Sequence, residues 1–220
     1  VGMGAYAMFG GVILAGMDPI PAILLGGVAA LIVAVPTAFF AFRLQGPYFA
    51  IGTWVIAEVM GLVLAQVQSL GGGTGTSLPR SATREMWATE WIAGILDVRN
   101  SAARDILTYW LALALAAGTI AAIYALLRSK RGLALSAVRD NPEAAKSVGV
   151  DAGRMKWFVF LTSAFGTGVA GALIYVQKAR ISPDAAFSVT DWTAYVLFIV
   201  IIGGIGTIEG PIIGVIIFFL

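Results

Sequence analysis

Long apolar stretches separated by short polar ones alternate along the chain. Apolar runs of about 20 residues can cross a hydrocarbon core roughly 30 Å thick, because a helix rises about 1.5 Å per residue. We therefore predict helical spans at about 1–16, 20–42, 48–69, 105–127, 157–179 and 193–220. The pattern indicates the all-α class, a polytopic integral membrane helical bundle.

The last predicted span is irregular, and both ends of the chain lack a polar flank. The sequence "GGIGTIEGP" at 203–211 interrupts the last span. Broken backbone at membrane depth persists only where protein buries it or where it lines a wet cavity. Because both terminal stretches look cut, we expect a single transmembrane domain over 1–220 that is truncated at both ends.

The polar segment 128–156 is the main exception to the apolar pattern. Within it, Asn141 is a favourable N-cap and Pro142 fits the first helical position. Glu143 complements the positive helix end, and Gly149 is suited to end the helix. These residues predict a helix of about two turns.

A second short helix is predicted just before it, over 131–140. The two helices must be separate, because the residue preceding a proline is pushed out of helical geometry. Helices this short are marginal in water unless they pack on something. We interpret the pair as a protein-docking element; the alternative is a solvated basic loop that only sets the topology.

Lysine and arginine are densest in the segment 128–156, which predicts that this segment is cytoplasmic. Because successive spans cross the membrane in opposite directions, the loops 70–104 and 180–192 are then on the other side. The cations there are more widely spaced and include Arg80 and Arg84. That outer loop also has aromatic and apolar residues at four-residue spacing: Trp87, Trp91 and Ile95. This spacing is typical of a short helix that lies in the membrane surface and is held there by its aromatic rings.

Composition excludes several functions. The chain is 59% hydrophobic and 12% charged, and its 220 residues include no Cys and no His, which argues against thiol or imidazole catalysis and against most zinc and haem sites. The sequence "GGGTGTS" at 71–77 lacks the Lys of a phosphate-binding loop. We therefore predict no catalytic, metal or cofactor residues, and the net charge of +2 gives no indication of nucleic-acid binding.

Two carboxylates, Glu58 and Glu209, lie in apolar surroundings. An ionisable group at membrane depth is costly and often marks a pathway, a partner or a wet cavity. The alternatives are that Glu58 bonds backbone or is neutral and that Glu209 sits near an interface. With nearby polar and glycine positions they form a candidate translocation pathway: Thr53, Glu58, Gln66, Gly72, Gly73, Gly204, Gly206 and Glu209.

Several stretches, in this order and spacing, resemble one known family. They are "GAYAM" at 4–8, "FRLQGPYFAIGTWVIAEV" at 42–59, "GGGTG" at 71–75, "RGLALSAVRDNPEAAKSVGVDAGRMKWFVFLTSAFGTGVAGAL" at 131–173, "ISP" at 181–183 and "GGIGTIEGPIIG" at 203–214. The chain is similar to ABC-transporter permeases of the branched-chain amino acid importer family, in particular to the M-type subunit. The resemblance covers most of the chain.

The resemblance implies a multi-pass permease subunit of the bacterial inner membrane that is not itself an enzyme. Its implied partners are two cytoplasmic ATPase subunits, which would bind ATP and Mg, a second related permease and an extracytoplasmic substrate-binding protein. The coupling loop of the family maps to about 131–149, within the loop 128–156. The coupling residues on it would be Arg139, Asp140, Asn141, Pro142, Glu143, Ala144, Ala145 and Gly149.

The resemblance implies leucine, isoleucine and valine as usual cargo, whereas close relatives carry urea, amides or aromatic acids. An ion-gradient-driven secondary transporter that uses Glu58 as its coupling carboxylate is the alternative function. Uptake that depends on pH and needs no ATPase partner would favour the secondary transporter. A membrane-embedded enzyme is a poorer fit, because no paired carboxylates share one span.

Overall fold

The structure is a computed structural model that describes residues 1–44, 46–79 and 86–220, with the side chains of Trp87 and Leu96 left aside. Arg80 and Arg84, which entered the prediction of sidedness, lie outside the described residues. Within this part of the chain, five helices are long and apolar enough to cross a membrane: Pro19–Ala41, Pro47–Ala65, Asn100–Leu127, Ala152–Lys178 and the segment Pro183–Gly203. The predicted all-α class is confirmed.

The helices form mostly where the apolar runs predict them. In chain order they are α1 (Gly2–Ala15), α2 (Pro19–Ala41), α3 (Pro47–Ala65), α4 (Trp87–Leu96), α5 (Asn100–Leu127), α6 (Lys130–Asp140), α7 (Pro142–Ser147), α8 (Ala152–Lys178), α9 (Pro183–Ala186), α10 (Tyr195–Gly203) and α11 (Glu209–Phe219). The described residues also form two strands, β1 (Thr76–Ser77) and β2 (Arg180–Ile181). Two 3₁₀ turns lie at Gln68–Leu70 and Gly72–Thr74, and a π-helical turn lies at Thr190–Ala194. Both α5 and α8 begin before the predicted apolar spans, since their polar first turns are also helical.

The chain divides into two compact units, 1–115 with 160–187 and 116–159 with 188–220. The organisation of all 220 residues as one transmembrane domain stays a prediction.

The first unit is built on close glycine contacts among α1, α2 and α8. A Cβ atom added to Gly4 would overlap the backbone of Gly168, and one added to Gly26 would lie 2.9 Å from the Cβ of Ala172. Small residues let helix backbones approach this closely in lipid, where dispersion contacts rather than the hydrophobic effect drive association. Gly168 and Ala172, four positions apart on α8, therefore lie in this helix contact, whereas a Cβ added to Gly166 would have nothing within 4 Å.

Within the same unit, β1 and β2 join the segment after α3 to the segment after α8. They are antiparallel, with Thr76 opposite Ile181 and Ser77 opposite Arg180. Gly75 leads into β1 with a φ of 78°, and a Cβ there would overlap the carbonyl of Ile181. The two loops that sequence places on the outer side of the membrane are thus in direct contact.

Helix α4 forms where the aromatic spacing predicts a surface helix. Trp91 and Ile95 are 67% and 60% exposed, whereas Ala88 and Thr89 on the same helix are buried. An exposed apolar face on a short helix suits the boundary between lipid headgroups and acyl chains.

The last predicted span, 193–220, is corrected by the structure, because it is not one interrupted helix. It consists of α10 and α11, which run antiparallel: Gly203 meets Gly210, and Gly214 meets the carbonyl of Ile199. The chain reverses at Gly204 and Gly206, whose φ values of 101° and 94° favour glycine. The interruption in the sequence is therefore a turn.

Candidate functional site

The polar segment of the second unit contains two short helices that share one capping residue. Asn141 ends α6 and starts α7, and its backbone is extended at φ −156° and ψ 105°. Its Oδ1 accepts hydrogen bonds from the backbone N–H groups of Glu143 and Ala144, both at 3.0 Å. Pro142 occupies the first helical turn, as predicted. One side chain thus satisfies two N–H groups that the helix itself leaves unpaired.

The end of α7 is closed by backbone hydrogen bonds around Gly149. Gly149 has a φ of 85° and donates its N–H to the carbonyl of Lys146 at 3.1 Å, while Val150 donates to Ala145 at 2.9 Å. This pair of bonds is the Schellman arrangement. Gly149 is needed here because other residues adopt left-handed backbone only at a cost.

Two further caps, which sequence reasoning missed, connect this segment to its neighbours. Ser129 Oγ accepts from the N–H groups of Arg131 and Gly132 at the start of α6, and Asp151 Oδ1 accepts from the N–H of Arg154 at the start of α8. The signal was present, since Ser and Asp are preferred N-caps. Every helix that begins in 129–152 thus begins at a side-chain cap.

The junctions around α6 are also tightly packed. A Cβ on Gly132 would overlap the carbonyl of Leu127, and the guanidinium carbon of Arg131 lies 4.8 Å from the centre of the Phe158 ring. These contacts join α6 to the end of α5 and to the first turns of α8.

The surface of the helix pair combines exposed apolar side chains with charges. Leu133 and Val148 are 73% and 76% exposed, whereas Ala145 is buried. Arg139 pairs with its neighbour Asp140 at 3.1 Å on the surface. All predicted coupling residues therefore lie on α6, on α7 or at their caps, and Ala144 and Glu143 are exposed. The two exposed apolar side chains on this polar segment make it the candidate site.

The candidate pathway residues of the first unit lie on α3 and in the glycine turn after it. Thr53 donates its hydroxyl to the carbonyls of Phe49 and Ala50, so its own helix already uses this hydrogen bond. Glu58 is exposed on α3, and in the part of the chain that the structure describes no hydrogen bond or ion pair is formed by its carboxylate. It lies five positions after Thr53, which is about 140° around the helix. The structure therefore places them on different faces.

Further along, Gln66 is the exposed C-cap of α3. Gly72 is buried with a φ of 54°, and Gly73 is exposed. These three residues lie at the end of α3 that also leads into β1. All three lie at or beyond the C-terminal end of α3, whereas Thr53 lies in its N-terminal half.

The remaining pathway candidates lie at the turn of the α10–α11 pair. Gly204 and Gly206 make the reversal, and Glu209 is the first residue of α11. Thr207 Oγ1 accepts a hydrogen bond from the N–H of Gly210, the second residue of α11, at 3.0 Å. Glu209 is exposed in the first turn, where a carboxylate is favoured by the positive end of the helix.

Among the described residues, no group of three or more Asp, Glu, His or Cys side chains is arranged to hold a metal ion.

Comparison with known proteins gives one consistent result. The family model for "branched-chain amino acid transport system / permease component" matches residues 1–220. The chain is 30% identical over 178 residues to the high-affinity branched-chain amino acid transport system permease protein LivM of Salmonella typhimurium and, over the same length, to LivM of Escherichia coli K12. Each alignment covers 75% of this chain and 41% of the relative, so the chain spans about two fifths of the length of these relatives. No solved structure matches the chain significantly.

The family is that of a transport component rather than an enzyme. With the long apolar helices, the match confirms the prediction of a multi-pass protein of the bacterial inner membrane. The resemblance read from the sequence is confirmed as well: this chain belongs to the permease family of branched-chain amino acid transport systems.

Proposed function

We propose that this chain is part of a permease subunit of an ATP-driven importer of branched-chain amino acids. Cytoplasmic ATPases act on the coupling segment, defined here as residues 129–152, and alternating access follows from their closure. The observation that carries this proposal is the pair of short helices that meet at Asn141. The Asn141 side chain accepts two backbone hydrogen bonds at the start of α7, and the pair has exposed apolar side chains. The family match supports it.

The partners follow from the same proposal. Two ATPase subunits bind ATP and Mg, a second related permease completes the pathway, and an extracytoplasmic binding protein delivers the amino acid. The relatives' printed description as high-affinity branched-chain amino acid transport permeases supports this cargo. A permease supplied by a binding protein does not require a tight site of its own, which fits the few polar side chains among the pathway candidates.

The first step of the proposed mechanism is docking. Leu133 and Val148 are each about three quarters exposed, and their burial by a partner would contribute apolar area at about 25 cal/mol per Å². Arg139, Asp140 and Glu143 are exposed on the same two helices and would supply polar contacts. The exposed apolar pair thus gives the ATPase a place to bind.

The second step is transmission of movement. Each junction of the segment is fixed by a cap, at Ser129, Asn141 and Asp151, so that α6 and α7 move with their neighbours instead of unwinding. The contact of Gly132 with Leu127 passes a displacement to α5, and the contact of Arg131 with Phe158 passes it to α8. Transport needs such an element with two arrangements whose populations a ligand can shift.

The test uses the full-length protein assembled with its ATPases in vesicles. We expect the double variant Leu133→Ala/Val148→Ala to bind the ATPases about ten-fold or more weakly, because several buried CH₂ groups at about 0.8 kcal/mol each are lost. Leucine uptake should fall with it. The matched control is Val159→Ala, which truncates an exposed apolar side chain on α8 outside the coupling segment. ATPase binding and uptake that stay at the unmodified level in the double variant would exclude the docking role.

The ion-gradient-driven carrier is not supported by the comparisons, because the matching family consists of permease components of branched-chain amino acid transport systems.

A further inference from the structure

Three cations at the junction of α5 and α6 lack acidic partners. Arg128, Lys130 and Arg131 form no ion pair in the part of the chain that the structure describes. The carboxylates of Asp140 and Asp151 are engaged by other arginines of the coupling segment, Arg139 at 3.1 Å and Arg154 at 3.2 Å. The positive charge at this junction is therefore not balanced by an ion pair.

Aromatic rings hold two of these cations in place. The guanidinium carbon of Arg128 lies 4.5 Å from the centre of the Tyr124 ring, and that of Arg131 lies 4.8 Å from the centre of the Phe158 ring. A ring face attracts a cation without neutralising it. The guanidinium groups thus keep their N–H donors for an anion while their stems are fixed.

The backbone between the two arginines is equally fixed. Ser129 Oγ donates to the carbonyl of Leu126 at 2.6 Å and accepts from the N–H of Arg131 at 3.2 Å. A Cβ on Gly132 would overlap the carbonyl of Leu127. The charged groups are therefore carried by a tight, capped turn, and they need little ordering when an anion binds.

The junction lies at the depth of lipid headgroups. Helix α5 has 28 residues, which makes it about 42 Å long at 1.5 Å per residue, longer than a hydrocarbon core of roughly 30 Å. Its last turn therefore reaches the interface, where Tyr and Arg side chains are favoured. A helix of this length would bring the junction level with the phosphate groups of the adjacent lipid leaflet.

We propose that Arg128, Lys130 and Arg131 form a binding site for the phosphate group of an anionic phospholipid. Fixed guanidinium groups match phosphate oxygens with paired hydrogen bonds, and Lys130 adds a third positive charge. The site is separate from the proposed docking surface, since Arg131 and Leu133 are two positions apart on α6 and point about 160° apart around the helix. The lipid would hold α6 against the ends of α5 and α8.

The test measures lipid retention by native mass spectrometry on the full-length complex in detergent. The probes are dioctanoyl phosphatidylglycerol, dioctanoyl phosphatidylcholine and inorganic phosphate. We expect phosphatidylglycerol to be retained in preference to phosphatidylcholine. The variant Arg128→Gln/Arg131→Gln should weaken this retention about 30-fold, because each cation near an anionic surface contributes about five-fold to binding.

The control variant Arg154→Gln/Arg180→Gln makes the same change of charge at two exposed arginines that lie outside this junction and outside the proposed docking surface. It should keep the retention of phosphatidylglycerol. A second variant, Arg128→Lys/Arg131→Lys, preserves the charges but not the paired hydrogen bonds, and it should recover part of the retention, which separates loss of the site from loss of the fold. Equal losses in the two Gln variants would overturn the site, and inorganic phosphate that binds as tightly as phosphatidylglycerol would overturn its assignment to a lipid.

Discussion

The Oδ1 atom of Asn141 lies 3.0 Å from the backbone nitrogen of Ala144, across the first turn of α7. A helix of six residues such as α7 is too short to be stable alone in water. Its order therefore depends on the cap at Asn141 and on the glycine closure at Gly149, which occupy its two ends.

Replacing Asn141 by Ala should loosen α7. Loss of an N-cap of this type costs about 0.5–2 kcal/mol, so hydrogen exchange of the amides of Glu143 and Ala144 should accelerate by about two- to thirty-fold. Exchange measured by mass spectrometry on the assembled protein checks this. Ser136→Ala is the control, because Ser136 is exposed inside α6 and caps no helix; faster exchange in the control as well would show that the cap is not the cause.

Replacing Gly149 by Val should uncouple ATP hydrolysis from uptake. A side chain at a φ of 85° costs about 1–2 kcal/mol, and a β-branched one is among the least tolerated. We expect ATPase activity to persist while leucine uptake per ATP falls about ten-fold, in line with that cost. Both rates are measured in the same vesicles.

Gly149→Asn provides the comparison, since Asn tolerates left-handed backbone better than other side chains. It should retain most of the coupling. Full coupling in the Val variant would contradict the role assigned to this closure.

Replacing Gly168 by Ala should destabilise the first unit. The added Cβ would lie 2.5 Å from the Cβ of Ala30 and 2.8 Å from the carbonyl oxygen of Gly26, and overpacking of this kind costs about 1–3 kcal/mol. The thermal midpoint of the detergent-solubilised protein should fall. Gly166→Ala, two positions away with nothing within 4 Å of its added Cβ, should leave the midpoint unchanged or raise it. A fall of equal size in both variants would mean that helix contact is not responsible.

Neutralising Glu58 tests the energy source. The carboxylate is exposed on α3, and an ATP-driven importer does not require its protonation. We expect the Glu58→Gln variant to take up leucine with ATP at the unmodified rate. In both proteins, uptake should not depend on a proton gradient. The measurement is initial uptake in vesicles with ATP, with and without an ionophore that collapses the gradient. Loss of uptake together with a proton requirement in the unmodified protein would favour the ion-driven carrier.

Local chemistry explains which features could be predicted from the sequence. Asn141, Pro142 and Gly149 act on backbone groups within five residues of themselves, so their identity and spacing are sufficient. The long apolar helices are equally local, because their length alone suits a bilayer.

Features that depend on distant partners could not be predicted. Gly4 and Gly26 contact α8 residues far along the chain, and one sequence carries no record of that proximity. The reversal at Gly204 was missed for a related reason. Apolar periodicity marks where a helix stops, but the direction of the next helix depends on how Gly203 and Gly214 fit against their neighbours.

The short ladder between β1 and β2 constrains which gaps can open. Two residues on each strand tie the segment that leaves α3 to the segment that leaves α8. Spreading these two helix ends would break interstrand hydrogen bonds and expose polar backbone. The ladder therefore keeps these two loop segments together, and a gap between them can open only where its interstrand hydrogen bonds are broken.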